Sequence, residues 1–367
     1  MCRFIISGGG TGGHIFPAVS IANEIRCRFP ESEILFIGAD NRMEMERVPA
    51  AGYKIIGLPV SGFNRSNPLK NFAVIVKLIK SLLMAKKIVR DFKPDMAIGV
   101  GGYASGPTLW MASSLKIPII IQEQNSYAGV TNKLLGKRAS KICVAYNGMD
   151  KFFPADRIVL TGNPVRKDLE NVQEKSKEAL DYFGLQADKP VLLIIGGSLG
   201  ARTINIGVRK GLESWLNAGI QVVWQTGKNY YNSIKDEFNN TDFKGLWFSD
   251  FISRMDYAYA VADLVVSRAG AGTISELCLL KKAVILVPSP NVAEDHQTKN
   301  ARALSDNNAA VFITDNAVEE QLIPTAIQLL GDKEKLNSLS MQIALLAQHN
   351  SAERIVDEAA RIVKSEK

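Results

Sequence analysis

Cysteine and histidine are scarce: four and three residues in a chain of 367. Cys2, Cys27, Cys143 and Cys278 are far apart and show no C-x-x-C spacing. That excludes a disulfide framework and a cysteine-rich zinc site, and it suits a reducing compartment. No run approaches the ~18 uncharged apolar residues that a spanning helix needs. Only Phe4, Ile5 and Ile6 separate Arg3 from Ser7, so the start lacks the apolar core of a signal peptide. Low-complexity stretches and long runs of like charge are also missing, which excludes a disordered tail. What remains is ordinary globular composition, 46% apolar and 22% charged, long enough for two domains. The formal charge of +7 and pI of about 9.1 leave four readings open. They are a nucleic acid, an acidic lipid surface, a phosphorylated substrate, or simply a basic surface.

Short β-rich runs alternate with helical patterns. Strands are predicted at 3–7, 33–38, 54–58, 95–100, 118–122 and 141–145, and helices at 17–29, 42–51, 69–92, 106–115 and 128–135. The strand runs are continuously apolar, as strands covered on both faces should be. After a polar helical stretch predicted at 167–183, the plan restarts with strands at 191–195, 220–226, 245–248, 264–267 and 283–287. Helices at 319–330, 332–347 and 351–364 close the chain, the last a candidate to brace the first domain. Two Rossmann-like α/β domains with parallel, doubly wound sheets follow.

The loops after strands carry the unusual residues. Ser7-Gly8-Gly9-Gly10-Thr11-Gly12-Gly13-His14 joins a strand to a helix, an order that aims backbone N–H groups and a positive helix end at an anion. Gly8, Gly10 and Gly13 satisfy the G-x-G-x-x-G spacing of dinucleotide folds. Gly101-Gly102-Tyr103, Gln122-Glu123-Gln124-Asn125 and Gly196-Gly197-Ser198 occupy comparable places, the last offering amides and a hydroxyl to a phosphate. Arg268 to Glu276 is a further glycine loop, with Glu276 placed to accept both hydroxyls of a ribose. Asp295-His296-Gln297 begins a polar helix.

Together with Gly162-Asn163-Pro164-Val165-Arg166, these motifs occur in one order from residue 3 to about residue 301, and the chain resembles the MurG family, the UDP-N-acetylglucosamine transferases that complete lipid II in peptidoglycan synthesis. The resemblance implies a GT-B fold: two Rossmann-like doubly wound parallel-sheet domains facing across a cleft. It divides the chain into an acceptor and membrane-facing domain at 1–162, a donor domain at 163–345, and a C-terminal helix at 346–367. It implies that Thr11, Gly12 and Gly13 contact UDP-GlcNAc across the cleft, that Asn125 holds the sugar, and that Arg166 and Ser198 hold the diphosphate. Ile252 would touch the uracil through its backbone. Ala271, Gly272, Thr273, Ile274, Ser275 and Glu276 would wrap phosphate and ribose, and Gln297 would read the sugar hydroxyls. Tyr103 and Glu123 fall on the acceptor side. Leu199 departs from the family, many of whose members carry Gln there. The implied substrates are UDP-GlcNAc and lipid I, with no cofactor and no nucleic-acid partner; the oligomeric state stays open. The implied location is peripheral, on the cytoplasmic face of the inner membrane.

Inverting glycosyl transfer needs a base for the acceptor hydroxyl and charge stabilisation for the departing UDP. No Asp-x-Asp clamp stands beside the donor loops, so no metal site is expected. His14 is the best base on offer, an imidazole with an ordinary pKa of ~6.5, against the reading that it only orients substrate or meets a phosphate. Glu123 either supports His14 or is a structural carboxylate. His296 reads as a helix-start or sugar-contact residue and His349 as a surface residue. In 69–90, Phe72, Ile75, Val76, Ile79, Leu82 and Leu83 share a helix with Lys70, Lys77, Lys80, Lys86, Lys87 and Arg90. Val74, Leu78 and Ala85 leave apolar residues nearly all round it, which suits either a core helix with a basic face or insertion into an anionic membrane surface. Alternative enzyme readings are another GT-B lipid glycosyltransferase and a UDP-GlcNAc 2-epimerase. From other classes come an NAD-dependent oxidoreductase, with Asp40 as ribose ligand, and a non-catalytic sugar-nucleotide-binding module.

Overall fold

The computed structural model describes residues 2–10, 12–62, 71–166, 169, 172–238 and 243–365. The chain divides into two units, Met1–Arg166 with Gln348–Lys367, and Lys167–Ala347.

In the first unit, strands and helices alternate as β1 (Arg3–Ser7), α1 (Gly12–Arg28), β2 (Glu33–Ala39), α2 (Glu44–Ala50), β3 (Lys54–Leu58), α3 (Asn71–Phe92) and β4 (Met96–Gly99). They continue as α4 (Ser105–Ser114), β5 (Ile119–Glu123), α5 (Val130–Gly136), β6 (Lys141–Val144) and β7 (Ile158–Leu160). All seven strands are parallel, in the order β3-β2-β1-β4-β5-β6-β7. Alternate side chains of β1 feed opposite faces, as a pleated strand requires. Phe4 and Ile6 join Ile21 and Ile25 of α1, while Ile5 joins Ala85 of α3 and Leu109 of α4. The chain's last helix packs on the α1 side, burying Ile355, Val356 and Ala359.

The second unit runs α6 (Lys177–Phe183), β8 (Val191–Ile195), α7 (Arg202–Asn217), β9 (Gln221–Gln225), α8 (Tyr231–Phe238), β10 (Leu246–Ser249) and α9 (Met255–Val261). It continues β11 (Leu264–Ser267), α10 (Ala271–Leu279), β12 (Val284–Leu286), α11 (His296–Ser305), β13 (Val311–Phe312), α12 (Val318–Gly331) and α13 (Lys333–Ala344). The last helix of the chain, returned to the first unit, is α14 (Ser351–Ser365). The six strands are parallel, ordered β10-β9-β8-β11-β12-β13. Leu192, Ile194, Val222, Trp224 and Val266 are buried on the side covered by Ile204, Val208 and Trp215 of α7.

Three expectations need correcting. The helix expected from Pro17 begins at Gly12, so Gly12, Gly13 and His14 form its first turn rather than part of the connecting loop. Pro17 lies inside the helix and merely removes the donor that the Gly13 carbonyl would take. Among the described residues of the polar stretch 167–183, the α-helix runs from Lys177 to Phe183. Lys175 adopts φ +45°, which stops a helix, and Ser176 starts the next by accepting the Ala179 N–H at 3.3 Å. Strands β7 and β13 are too short to give a periodic signal and were not expected as strands.

Candidate active site

Strand order reverses at one place in each sheet, and that is where an open α/β sheet leaves a crevice for ligand. In the first unit the reversal falls between β1 and β4, in the second between β8 and β11. The loops leaving those four strands are 8–11, 100–104, 196–201 and 268–270. Four of the sequence motifs therefore sit at the two reversal points.

In the first unit, the backbones after β1 and β4 touch. A Cβ on Gly101 would stand 2.9 Å from Cδ2 and Nε2 of His14, and one on Gly102 only 2.3 Å from the Gly9 carbonyl oxygen. Both glycines have φ near +90°, a conformation that only glycine takes without strain. His14 is half-buried, Gly13 exposed, and Thr11 lies outside the described residues. Tyr103 is 57% exposed, its hydroxyl against the Gly62 backbone.

The polar run after β5 is built around Glu123. Its carboxylate is almost wholly buried and accepts four N–H groups. They are Asn125 N at 3.1 Å, Asn125 Nδ2 at 3.3 Å, Gly129 N at 3.0 Å and Asn132 Nδ2 at 2.8 Å. These bonds fold the 125–132 turn and hold the amide of Asn125. Gln122, Gln124 and Asn163 form a second buried network. Gln124 Nε2 donates to the Val100 carbonyl at 2.6 Å and also to Gln122, Gln122 Nε2 donates to Asn163 Oδ1 at 2.8 Å, and Asn163 Nδ2 donates to the Gln124 carbonyl at 3.0 Å. It ties the ends of β4 and β5 to the segment that leads to the half-buried Arg166.

Burial pushes the Glu123 carboxyl above its ordinary range, opposed by the N–H donors of Asn125, Asn132 and Gly129. A raised native pKa adds stability that is present at low pH and is lost as pH climbs from the ordinary value of ~4.3 through the raised one. Glu123→Gln carries no such titration but presents an NH₂ to N–H donors. Urea midpoints should place it below the wild type, with the gap narrowing as pH rises from about 4 towards neutrality. A widening gap would show that the donors outweigh burial.

In the second unit, Ser198 is exposed in a loop where Gly197 and Gly200 have positive φ and the Lys228 N–H donates to the Ser198 carbonyl at 3.1 Å. Ile252 is buried, and its N–H is committed to Gln225 Oε1 at 3.0 Å. Residues Ala271 to Glu276 are the first six of α10, so their amides form its N-terminal turns. Glu276 is half-buried and accepts the Tyr259 hydroxyl at 2.8 Å. Gln297 lies in the first turn of α11, where its Oε1 accepts the Ser289 N–H at 2.8 Å. Just before it, Glu294 and Asp295 both have positive φ, backbone strain of a kind that gathers at binding sites. His296 opens α11, and His349 is exposed.

The sequence reading missed several supports: Gln225 under Ile252, Tyr259 under Glu276, and the partners of Arg268. The Arg268 guanidinium is held by the Val287 and Pro288 carbonyls at 3.2 and 3.0 Å, Thr203 Oγ1 at 3.0 Å and Asp315. It ties the loop after β11 to the one after β12 and to the start of α7. These pairs span long stretches of sequence and leave no local spacing to read. Among the described residues, no group of three or more His, Cys, Asp or Glu side chains is gathered to hold a metal ion.

Residues 4–144 match the glycosyltransferase family 28 N-terminal domain, and residues 191–358 the glycosyltransferase family 28 C-terminal domain. A protein of Parabacteroides distasonis named UDP-N-acetylglucosamine--N-acetylmuramyl-(pentapeptide) pyrophosphoryl-undecaprenol N-acetylglucosamine transferase is 62% identical, with 98% of each chain covered. The chain belongs to the MurG family of glycosyltransferases. The crystal structure of Acinetobacter baumannii MurG superimposes with a TM-score of 0.80 at 27% identity, covering 98% of this chain and 100% of that one. A UDP-GlcNAc 2-epimerase from Neisseria meningitidis, bound to UDP-GlcNAc, shares the fold alone, with TM-score 0.69 at 16% identity over 98% of this chain and 100% of that chain. The MurG family thus accounts for nearly the full length of the chain.

Proposed function

We propose that this MurG-family chain moves GlcNAc from UDP-GlcNAc to the C4 hydroxyl of the muramyl sugar of lipid I, with inversion, forming lipid II. The observation that carries the reading is the full-length identity of 62% to a transferase named for that reaction.

The second unit is proposed as the donor site. The N-terminal turns of α10 and the hydroxyl of Ser198 suit a diphosphate. Glu276, oriented by Tyr259, suits the ribose diol. Because the Ile252 N–H is already used by Gln225, the group it offers uracil is its carbonyl, an acceptor for the pyrimidine N3–H. The Gln297 amide NH₂ is assigned to the sugar hydroxyls. From the first unit, Thr11, Gly12, Gly13, Asn125 and Arg166 are proposed to contribute to the donor, and Tyr103 to the acceptor.

In the reaction His14 takes the proton of the C4 hydroxyl, the hydroxyl oxygen attacks the anomeric carbon, and the bond from that carbon to the diphosphate oxygen breaks. UDP leaves with the electron pair, its charge met by Arg166, Ser198 and the α10 amides. Proton NMR on UDP-GlcNAc without acceptor separates this from epimerisation. The spectrum is expected to stay that of UDP-GlcNAc; growth of the manno epimer would overturn the reading.

Membrane contact is proposed through α3. Val74, Ser81, Ala85 and Val89 are its buried stripe, while Phe72, Ile75, Val76, Ile79 and Leu83 are exposed, Phe72 at 75% and Leu83 at 65%. Lys77, Lys80 and Lys87 are exposed on the same helix. Apolar side chains flanked by lysines match the interface of an anionic bilayer, and among the described residues no helix is long and apolar enough to cross one. Leu69 and Lys70, the start of the expected segment, lie outside the described residues. Replacing Phe72, Ile79 and Leu83 together by serine should weaken sedimentation with phosphatidylglycerol vesicles by roughly 10-fold or more, while UDP affinity holds. Equal vesicle binding would reject α3 as the contact. A peripheral place on the cytoplasmic face follows from this reading, where lipid I would be met, in a role in wall growth, cell shape and division.

A further inference from the structure

A strand, a glycine loop and a helix ordinarily present their amides to a bound anion. After β1 that anion is part of the chain. Glu44, the first residue of α2, is fully buried. Its Oε2 accepts the Gly10 N–H at 2.9 Å and its Oε1 the Ala39 N–H at 2.9 Å, so one carboxylate joins the loop after β1 to the end of β2. Two glycines make room for it: a Cβ on Gly9 would stand 2.1 Å from Oε1, and one on Gly38 2.7 Å from Cγ. Among the described residues no basic side chain forms an ion pair with it, and both carboxyl oxygens rest on main-chain N–H groups. Gly9 is in turn the residue whose carbonyl touches Gly102, and Gly101 carries the His14 ring.

We propose that Glu44 is a positioning residue for the reaction. It supplies in cis the anion that such a loop otherwise takes from a nucleotide phosphate, and so fixes the loop from which α1 and His14 start. The G-x-G-x-x-G spacing is then kept for a carboxylate, and Gly10 has no N–H to spare for a dinucleotide. The proposal rests on His14 serving the acceptor, and it adds a residue that touches neither substrate.

The test is steady-state GlcNAc transfer by the full chain carrying Glu44→Gln, Glu44→Asp, His14→Ala, or His14→Ala with Glu44→Gln. Thermal melting and titration of UDP by calorimetry accompany it. A glutamine keeps one acceptor oxygen and turns an NH₂ towards the other N–H. Its kcat per folded molecule should fall by roughly 10–100-fold, as a displacement of about 1 Å at a catalytic group does. UDP affinity should stay within about 2-fold, since the UDP contacts are assigned mainly to the second unit. Aspartate keeps the charge but is one methylene short, so its kcat should lie between the two, and it serves if the glutamine variant does not fold. Added to His14→Ala, Glu44→Gln should cost less than about 3-fold more, because both act through one group. Wild-type kcat in the folded Gln or Asp variant, or losses that multiply in the double variant, would overturn the proposal. An innocuous His14→Ala would sink the base assignment alone, and Glu44 would then stand or fall on the kcat of its own variants.

Discussion

Replacing His14 by alanine is expected to lower the kcat for GlcNAc transfer by about 10²–10⁴-fold, the usual worth of a positioned general base. The loss should sit in kcat, with UDP affinity nearly unchanged, because the groups assigned to uracil and ribose are Ile252 and Glu276 of the second unit. The pH profile carries the finer test. Activity of the wild type should fall on the acid side, where the imidazole gains a proton and can no longer accept one. The residual activity of the alanine variant should lack that limb. A variant with unchanged kcat and an unchanged acid limb would assign the base elsewhere.

Gly102→Ala is expected to have the next largest effect. Gly102 holds φ +84°, and a methyl there would meet the Gly9 carbonyl oxygen at 2.3 Å. The backbone conformation alone costs about 1–3 kcal/mol for a residue with a side chain. The collision cannot be relieved by rotating a side chain, since the atom struck is main chain. Either the loops after β1 and β4 separate, or the variant unfolds more readily. Urea denaturation should show the lost stability, and the folded fraction should transfer GlcNAc more slowly as His14 shifts with its loop. By contrast, Gly148→Ala, also at positive φ but with open space at its Cβ, should cost only the backbone term. Equal stability for the two alanine variants would mean that the close approach at Gly102 is not a constraint.

Which parts of this were legible in the sequence follows from the range of the interactions. Continuous apolar runs such as Phe4–Ile6 and Leu192–Ile195 announce strands buried on both faces, and the glycine loops after them announce the reversal points. Short-range patterns therefore carried the alternation of elements and the order of motifs. The start of α1 is not legible because Pro17 looks like a helix opening, whereas Gly12 and Gly13 before it already turn helically. Lys175 gives no sequence sign of its positive φ, so 167–183 reads as one helix from sequence. The supports of the site were hidden for a different reason. Glu44 reaches Gly10, Tyr259 reaches Glu276, and Arg268 reaches Asp315 only once the sheets are formed. Glu123 was visible as a polar residue after a strand, but only the structure shows its carboxylate spent on the 125–132 turn. The exposed face of α3 was half legible: its composition was plain, but which stripe is buried depends on packing.

The central claim is tested most directly by incubating the purified full chain with UDP-[¹⁴C]GlcNAc and synthetic lipid I in anionic vesicles. The expected result is label transferred to the lipid, with one UDP released per GlcNAc moved. The product should carry a β linkage to the muramyl C4 oxygen, inverted from the α configuration of the donor. Folded protein that binds UDP-GlcNAc yet leaves lipid I unlabelled, or yields an α linkage, would contradict it.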